Sequence, residues 1–150
     1  MPNRREHAAV GFGVGVAYSA YKARYGNNLQ ICLEGVGGGA GGWLGGPCPD
    51  FLEPATNPNH RGLAHGILPL VTVGGLALSR LDSAQTWLRE HAERCRRARL
   101  SAQSPAATAW YGLWEWVCYI LAGALAGFVA GYASHVVLDF RTPRCLPIVS

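Results

Sequence analysis

His135 and Asp139 stand four residues apart near the end of a long apolar run. On a helix that spacing sets an imidazole nitrogen and a carboxylate oxygen on one face, able to grip one ion. Nitrogen and oxygen ligands of this kind suit zinc, manganese or iron. Four more residues of the same chemistry, His7, Asp50, His60 and His65, lie at the ends of other apolar segments. Pro47 and Pro49 precede Asp50; they should end a helix there and fix the approach of the carboxylate. His60 and His65 are five apart, off-face for a single helix, which puts His60 in an entry loop and His65 on the first turns of the third apolar segment. These candidates exceed one tetrahedral site. They are enough for a two-metal site, in which ions roughly 3.5–4 Å apart stabilise both the attacking and the leaving oxygen. The expected cofactor is one or two divalent ions, zinc first.

Three arginines share the same end of the chain's segments: Arg61, Arg141 and Arg144. A guanidinium fork binds phosphate or carboxylate oxygens in bidentate fashion. Glu53, close to Asp50, has the chemistry of a ligand, a partner for a ligating histidine, or a general base. Each of these residues alone has a plainer explanation, since a histidine at a helix end is a cap and an arginine at a membrane edge an anchor. Their joint placement is harder to dismiss, because ionisable groups at such depths are costly and tend to be functional.

The elements that must position them are apolar. Only 15% of the 150 residues are charged, against about 25% in an average soluble domain. The length favours one domain over residues 1–150. Four apolar segments run from about Ala8 to Tyr21, Leu29 to Pro47, Leu63 to Ser79 and Trp110 to Leu138. A spanning helix needs about 20 apolar residues, a length only the last segment meets comfortably. The second segment is crowded with glycine, and Gly38 with Gly42, or Gly41 with Gly45, gives the GxxxG spacing of closely packed membrane helices. It lacks the Lys-Ser/Thr ending of a phosphate-binding loop. The sequence between, about 80–109, reads as a polar Arg-rich loop, with Leu81 to Leu100 able to form an amphipathic helix on the bilayer surface. The run Ser101–Thr108 carries a helix start signal, and Trp110, Tyr111, Trp114 and Trp116 behind it mark a membrane–water interface. The expected fold is therefore all-α: a multi-spanning helical membrane protein of about four apolar helices plus a surface amphipathic helix.

If the four segments cross in alternation, His7, Asp50, His60, His65, His135 and Asp139 fall on one side of the membrane, with Lys22–Asn28 and the Arg-rich segment on the other. The chain holds only five histidines, so bringing four of them to one level is a specific arrangement. The five cysteines show no zinc-type spacing. The basic cluster has no aromatic platform of the kind that stacks nucleic-acid bases, so a nucleic-acid partner is not expected.

Three stretches of this sequence are similar to a known pattern. Pro49-Asp50-Phe51-Leu52-Glu53-Pro54, then His60-Arg61-Gly62 and His65, resembles the PD…EP…HRG…H signature of the YdjM-like membrane-bound metal-dependent hydrolases. Ser134-His135 with Asp139, followed by Thr142-Pro143-Arg144, resembles that family's ending, and His7 its early histidine. The resemblance implies a metal-centred hydrolytic site built from His7, Asp50, His60, His65, His135 and Asp139, with Arg61 and Arg144 beside it. Its metal-binding pattern is similar to that of zinc-dependent phospholipases C and single-strand nucleases, which implies phosphoester cleavage by analogy. The chain departs from the pattern at Leu52, where relatives carry a second Asp, at Gly66, where they carry Ser, and at Cys145, where they carry Gly.

The expected function is a membrane-embedded hydrolase that cleaves an ester or phosphoester, lipid-like in character, through a metal-activated water. Glu53 would act as base, and Arg61 and Arg144 would neutralise developing charge. The partners are the lipid bilayer and such a substrate, with an oligomer compatible. Two other classes fit: a membrane protein that binds metal without turnover, and a helical scaffold subunit of a larger membrane complex. The expected location is a bacterial inner membrane, crossed several times. Lys22, Arg24, Arg80 and the arginines from 89 to 99 outweigh the basic residues of the ligand side, which turns the site away from the cytoplasm.

Overall fold

The computed structural model describes residues 4–52 and 67–140, with side chains described at 4–52 and 79–139. Every regular element in them is an α-helix: α1 (Arg4–Lys22), α2 (Asn28–Gly45), the short α3 (Cys48–Leu52), α4 (Ile67–Ser101) and α5 (Pro105–Phe140). Asn27 starts α2 by accepting the Gln30 amide on its side chain at 2.9 Å. Ser104 does the same for α5, taking the Ala107 amide at 3.2 Å, with Pro105 in the first helical position.

Helix α5 packs on α1, α2 and α4, and the glycines of α2 set how closely α1 and α5 approach it. Gly37, Gly41 and Gly45 lie against the carbonyls of Ile120, Ala124 and Phe128 on α5. Gly123, Gly127 and Gly131 of α5 lie in turn against the carbonyls of Glu34, Gly38 and Gly42. A Cβ on any of these six would meet backbone, so the two helices run parallel at the closest approach glycine permits. On the other side of α2, Gly11 and Gly15 of α1 abut the carbonyls of Gly42 and Gly38 in an antiparallel pairing. Both GxxxG spacings visible in the sequence are thus used: 41/45 toward α5, and 38/42 toward α1. Ser19 ties the three helices together by donating to the Gly123 carbonyl at 3.0 Å.

Within the segment at about 80–109, the helix expected over Leu81–Leu100 is present, and the expected polar loop shrinks to the few residues before Pro105. Helix α4 continues the third apolar segment without a break to Ser101, and α5 begins at Pro105. Leu81–Leu100 does not lie apart as a surface helix: Leu88 and Ala92 pack against Cys118, Tyr119 and Ala122 of α5. No glycine or proline interrupts this stretch, and its Leu, Ala, Arg, Glu and Gln are good helix formers. Its charges also find partners on the apolar helices. Arg89 grips Glu34 of α2 with Nε at 2.8 Å and Nη2 at 2.5 Å, and Gln30 adds a bond to the same carboxylate at 2.8 Å. Arg99 binds Glu115 of α5 at 2.9 Å, Tyr119 donates to Glu93 at 2.7 Å, and Lys22 pairs with Asp82.

Ionisable groups are buried while several large apolar side chains are exposed. Glu34, Glu115 and His135 are all 0% exposed, while Val36 is 66%, Trp43 55% and Phe128 39% exposed. Trp110, Tyr111, Trp114 and Trp116 also face outward, Trp110 and Trp114 edge to face. Among the described residues, one helix is long and apolar enough to cross a membrane, over Pro105–Asp139.

Candidate metal centre

The two glycine pairings of α2 end at the same residue. Gly46 closes α2 with its amide on the Gly42 carbonyl, and a Cβ there would strike the carbonyl of His7. His7 therefore sits one turn beyond Gly11 in the α1 pairing. His135 sits one turn beyond Gly131 in the α5 pairing, and its Nδ1 lies 2.6 Å from the Gly46 carbonyl. The glycines let three backbones converge, and the convergence brings two imidazoles from opposite ends of the sequence into a stack, centroids 3.8 Å apart and planes 25° from parallel.

A carbonyl only accepts, so Nδ1 of His135 carries a proton and donates it; in the neutral imidazole the lone pair is then on Nε2. That Nε2 faces two carboxylates, Asp139 Oδ2 and Asp50 Oδ1, each at 3.6 Å. His7 Nε2 lies 3.6 Å from Asp139 Oδ1. These separations are too long for hydrogen bonds. They match the edge of a coordination polyhedron: two ligand atoms on a tetrahedral zinc at about 2.1 Å stand about 3.4 Å apart. His7, His135 and Asp139 each offer one atom within 4.8 Å of the others, and all three are buried. His7 Nδ1 is also buried, with no hydrogen-bond partner among the described residues. Two buried imidazoles and a buried carboxylate, with one ring nitrogen lacking a hydrogen-bond partner among the described residues, are a donor set that fits a divalent cation.

Of the residues singled out in the sequence, His7, Asp50, His135 and Asp139 come together at one end of the bundle. Asp50 is delivered by α3, its side chain 28% exposed, the most open of the four. Glu53, His60, Arg61, His65 and Arg144 lie outside the described residues, as does Arg141. What the sequence did not reveal is the orienting role of the Gly46 carbonyl, since a backbone acceptor leaves no mark in residue type. The partners of Glu34 and Glu115 were also missed. The available signal was a pair of carboxylates isolated in apolar segments, opposite an arginine surplus elsewhere.

Compared with protein-family models, with curated proteins and with solved structures, the chain matches none. The geometry of the site therefore stands by itself.

Proposed function

We propose that this protein is a membrane-embedded, multi-spanning hydrolase whose His7, His135, Asp139 and Asp50 hold a divalent metal, zinc first, and which cleaves an ester or phosphoester. The observation that carries the reading is the 2.6 Å contact between His135 Nδ1 and the Gly46 carbonyl. That Nδ1–H is committed to Gly46, so Nε2 is presented as a ligand toward two carboxylates and beside a second buried imidazole.

The membrane part of the proposal is supported by the inverted burial, with buried carboxylates and glycines inside and large apolar side chains outside. It is also supported by length. About 20 residues cross a hydrocarbon core. Counted back from Asp139, that distance ends near Tyr119 and leaves the exposed tryptophans at 110, 114 and 116 at the far interface.

When bound, a divalent ion would supply a Lewis acid and lower the pKa of an adjacent water. The chain's own residues do the rest. Asp139 faces both imidazoles, with one oxygen 3.6 Å from each, and would share the ion with them. Asp50, the most open member, is placed to take a proton from water entering past α3. The resemblance to the YdjM-like hydrolases adds His60 and His65 as ligands, Glu53 as a base, and Arg61 and Arg144 as counter-charges for a phosphoryl group.

A second reading has an observation of its own. His7, His135 and Asp139 are nearly closed off from solvent, at 2%, 0% and 5% exposure. Structural metal sites are closed in this way, whereas catalytic ones keep an open position. Turnover separates the two. Detergent-purified protein loaded with zinc and offered phosphodiester and carboxylic-ester substrates should hydrolyse at least one class, and His135→Ala should abolish that activity. Stoichiometric metal with no turnover on either class would favour the structural reading.

A further inference from the structure

Three of the four candidate ligands stand on α1 and α5, long helices that glycine contacts join to α2. Asp50 stands on α3, which is five residues long. A helix that short does not hold its own shape in water, so its place depends on what grips it. On its inner side Pro49 is fully buried. The Phe51 amide closes one turn on the Pro47 carbonyl at 3.2 Å. The Phe51 ring is 64% exposed, so a core does not hold it. It lies under the guanidinium of Arg4, whose central carbon is 4.8 Å from the ring centroid. That distance is within reach of a cation–π attraction.

Arg4 precedes His7 by three residues, so the two share a face of α1. The chain leaving α2 meets this first turn of α1 twice. Gly46 lies against the His7 carbonyl, and Phe51 lies under Arg4. Asp50, next to Phe51, has its Oδ1 3.6 Å from His135 Nε2. One turn of α1 therefore carries one ligand and grips the chain neighbour of another. Asp50 needs that grip most. Its side chain is 28% exposed, so water competes for its oxygens, whereas His7, His135 and Asp139 are buried.

We propose that Arg4 and Phe51 are positioning residues of the metal centre. Their cation–π contact seats α3 so that the Asp50 carboxylate joins His7, His135 and Asp139 on the ion. A contact of this kind at an exposed site biases the seated position by about two- to fivefold. The ring face and the positive charge are both required, so leucine at 51 or glutamine at 4 removes the contact, while tyrosine at 51 or lysine at 4 keeps it. The proposal rests on the metal-site part of the reading above and not on turnover.

The test uses the full chain, purified in detergent, stripped of metal and titrated with cobalt(II), whose visible absorption reports its ligands and their geometry. Both side chains are exposed, so the substitutions leave the buried interior intact. Arg4→Gln and Phe51→Leu should each weaken cobalt binding by about two- to fivefold and shift the spectrum toward that of Asp50→Ala. Arg4→Lys and Phe51→Tyr should restore both. The double variant Arg4→Gln with Phe51→Leu should bind no more weakly than either single one, because the two side chains make one contact. Losses that multiply in the double variant would overturn the proposal, as would single variants with the wild-type affinity and spectrum. Hydrogen exchange of the α3 amides in metal-free protein reads the same contact without an ion, and it should quicken in Arg4→Gln. Quickened exchange in a protein that binds no cobalt would keep the clamp and sink the metal site. Cobalt binding that responds to Asp50→Ala but to neither clamp variant would do the opposite.

Discussion

The Nδ1–H of His135 donates to the carbonyl of Gly46 at 2.6 Å, and this bond is the next rung of a glycine ladder. At the rungs below, Gly123, Gly127 and Gly131 let α5 lie against the carbonyls of Glu34, Gly38 and Gly42. At the last rung an imidazole replaces the glycine, and a hydrogen bond replaces the close backbone contact. Packing and chemistry are therefore continuous: the spacing that joins α2 to α5 also fixes the tautomer of a candidate ligand.

Gly46→Ala should damage the site more than the fold. The added Cβ meets the His7 carbonyl and must push the start of α1 away from the end of α2. Overpacking of this kind costs about 1–3 kcal/mol. The expected result is a lowered Tm in detergent together with a clear loss of bound metal. Gly35→Ala is the comparison, because nothing lies within 4 Å of a Cβ there. It should be neutral or stabilising by about 0.5–1 kcal/mol, as alanine replaces glycine inside a helix.

Arg89 and Glu34 form a buried ion pair, with Glu34 0% exposed. Arg89→Leu strands the carboxylate and should destabilise by about 3–5 kcal/mol, whereas the double variant Arg89→Leu with Glu34→Leu should recover most of that loss. Denaturant unfolding in micelles reads both. If the double variant were as unstable as the single one, the pair would be holding α4 by more than charge compensation.

A metal that binds only the folded bundle must stabilise it. At free metal about a thousandfold above Kd, mass action contributes about 4 kcal/mol. Stripping the protein with a chelator should therefore lower its Tm, and restoring zinc should raise it again. In His135→Ala the two Tm values should coincide. A chelator-induced shift that persists in that variant would place the ion elsewhere.

Much of this arrangement is legible in the sequence, for identifiable reasons. Alternation of apolar segments brings His7 and Asp50 to one end because α1 and α2, of 19 and 18 residues, form a returning pair. Helices α4 and α5, of 35 and 36 residues, form another that carries His135 and Asp139 back. The i, i+4 spacing of His135 and Asp139 and the GxxxG pairs of α2 carry their geometry in their periods. The Arg-rich segment reads as helix over Leu81–Leu100, but its charge density suggests a loop around it and a surface position for it. Its arginines pair with Glu34 and Glu115, and the Arg89–Glu34 partners are too far apart in sequence for any local pattern to show. Gly46 is hidden for a different reason, since its part is played by a carbonyl that every residue possesses. The multi-spanning architecture remains a proposal, as α5 is the described helix whose length and composition suffice to cross a membrane.

The proposed metal site draws its four ligands from α1, α3 and α5. Elemental analysis of the detergent-purified protein, beside His135→Ala and Asp50→Ala, tests it most directly. The expected result is about one or two zinc, manganese or iron ions per chain in the native protein, lost in His135→Ala and reduced in Asp50→Ala. A native protein that stays metal-free after reconstitution with each ion, or a His135→Ala variant that keeps its full complement, would contradict it.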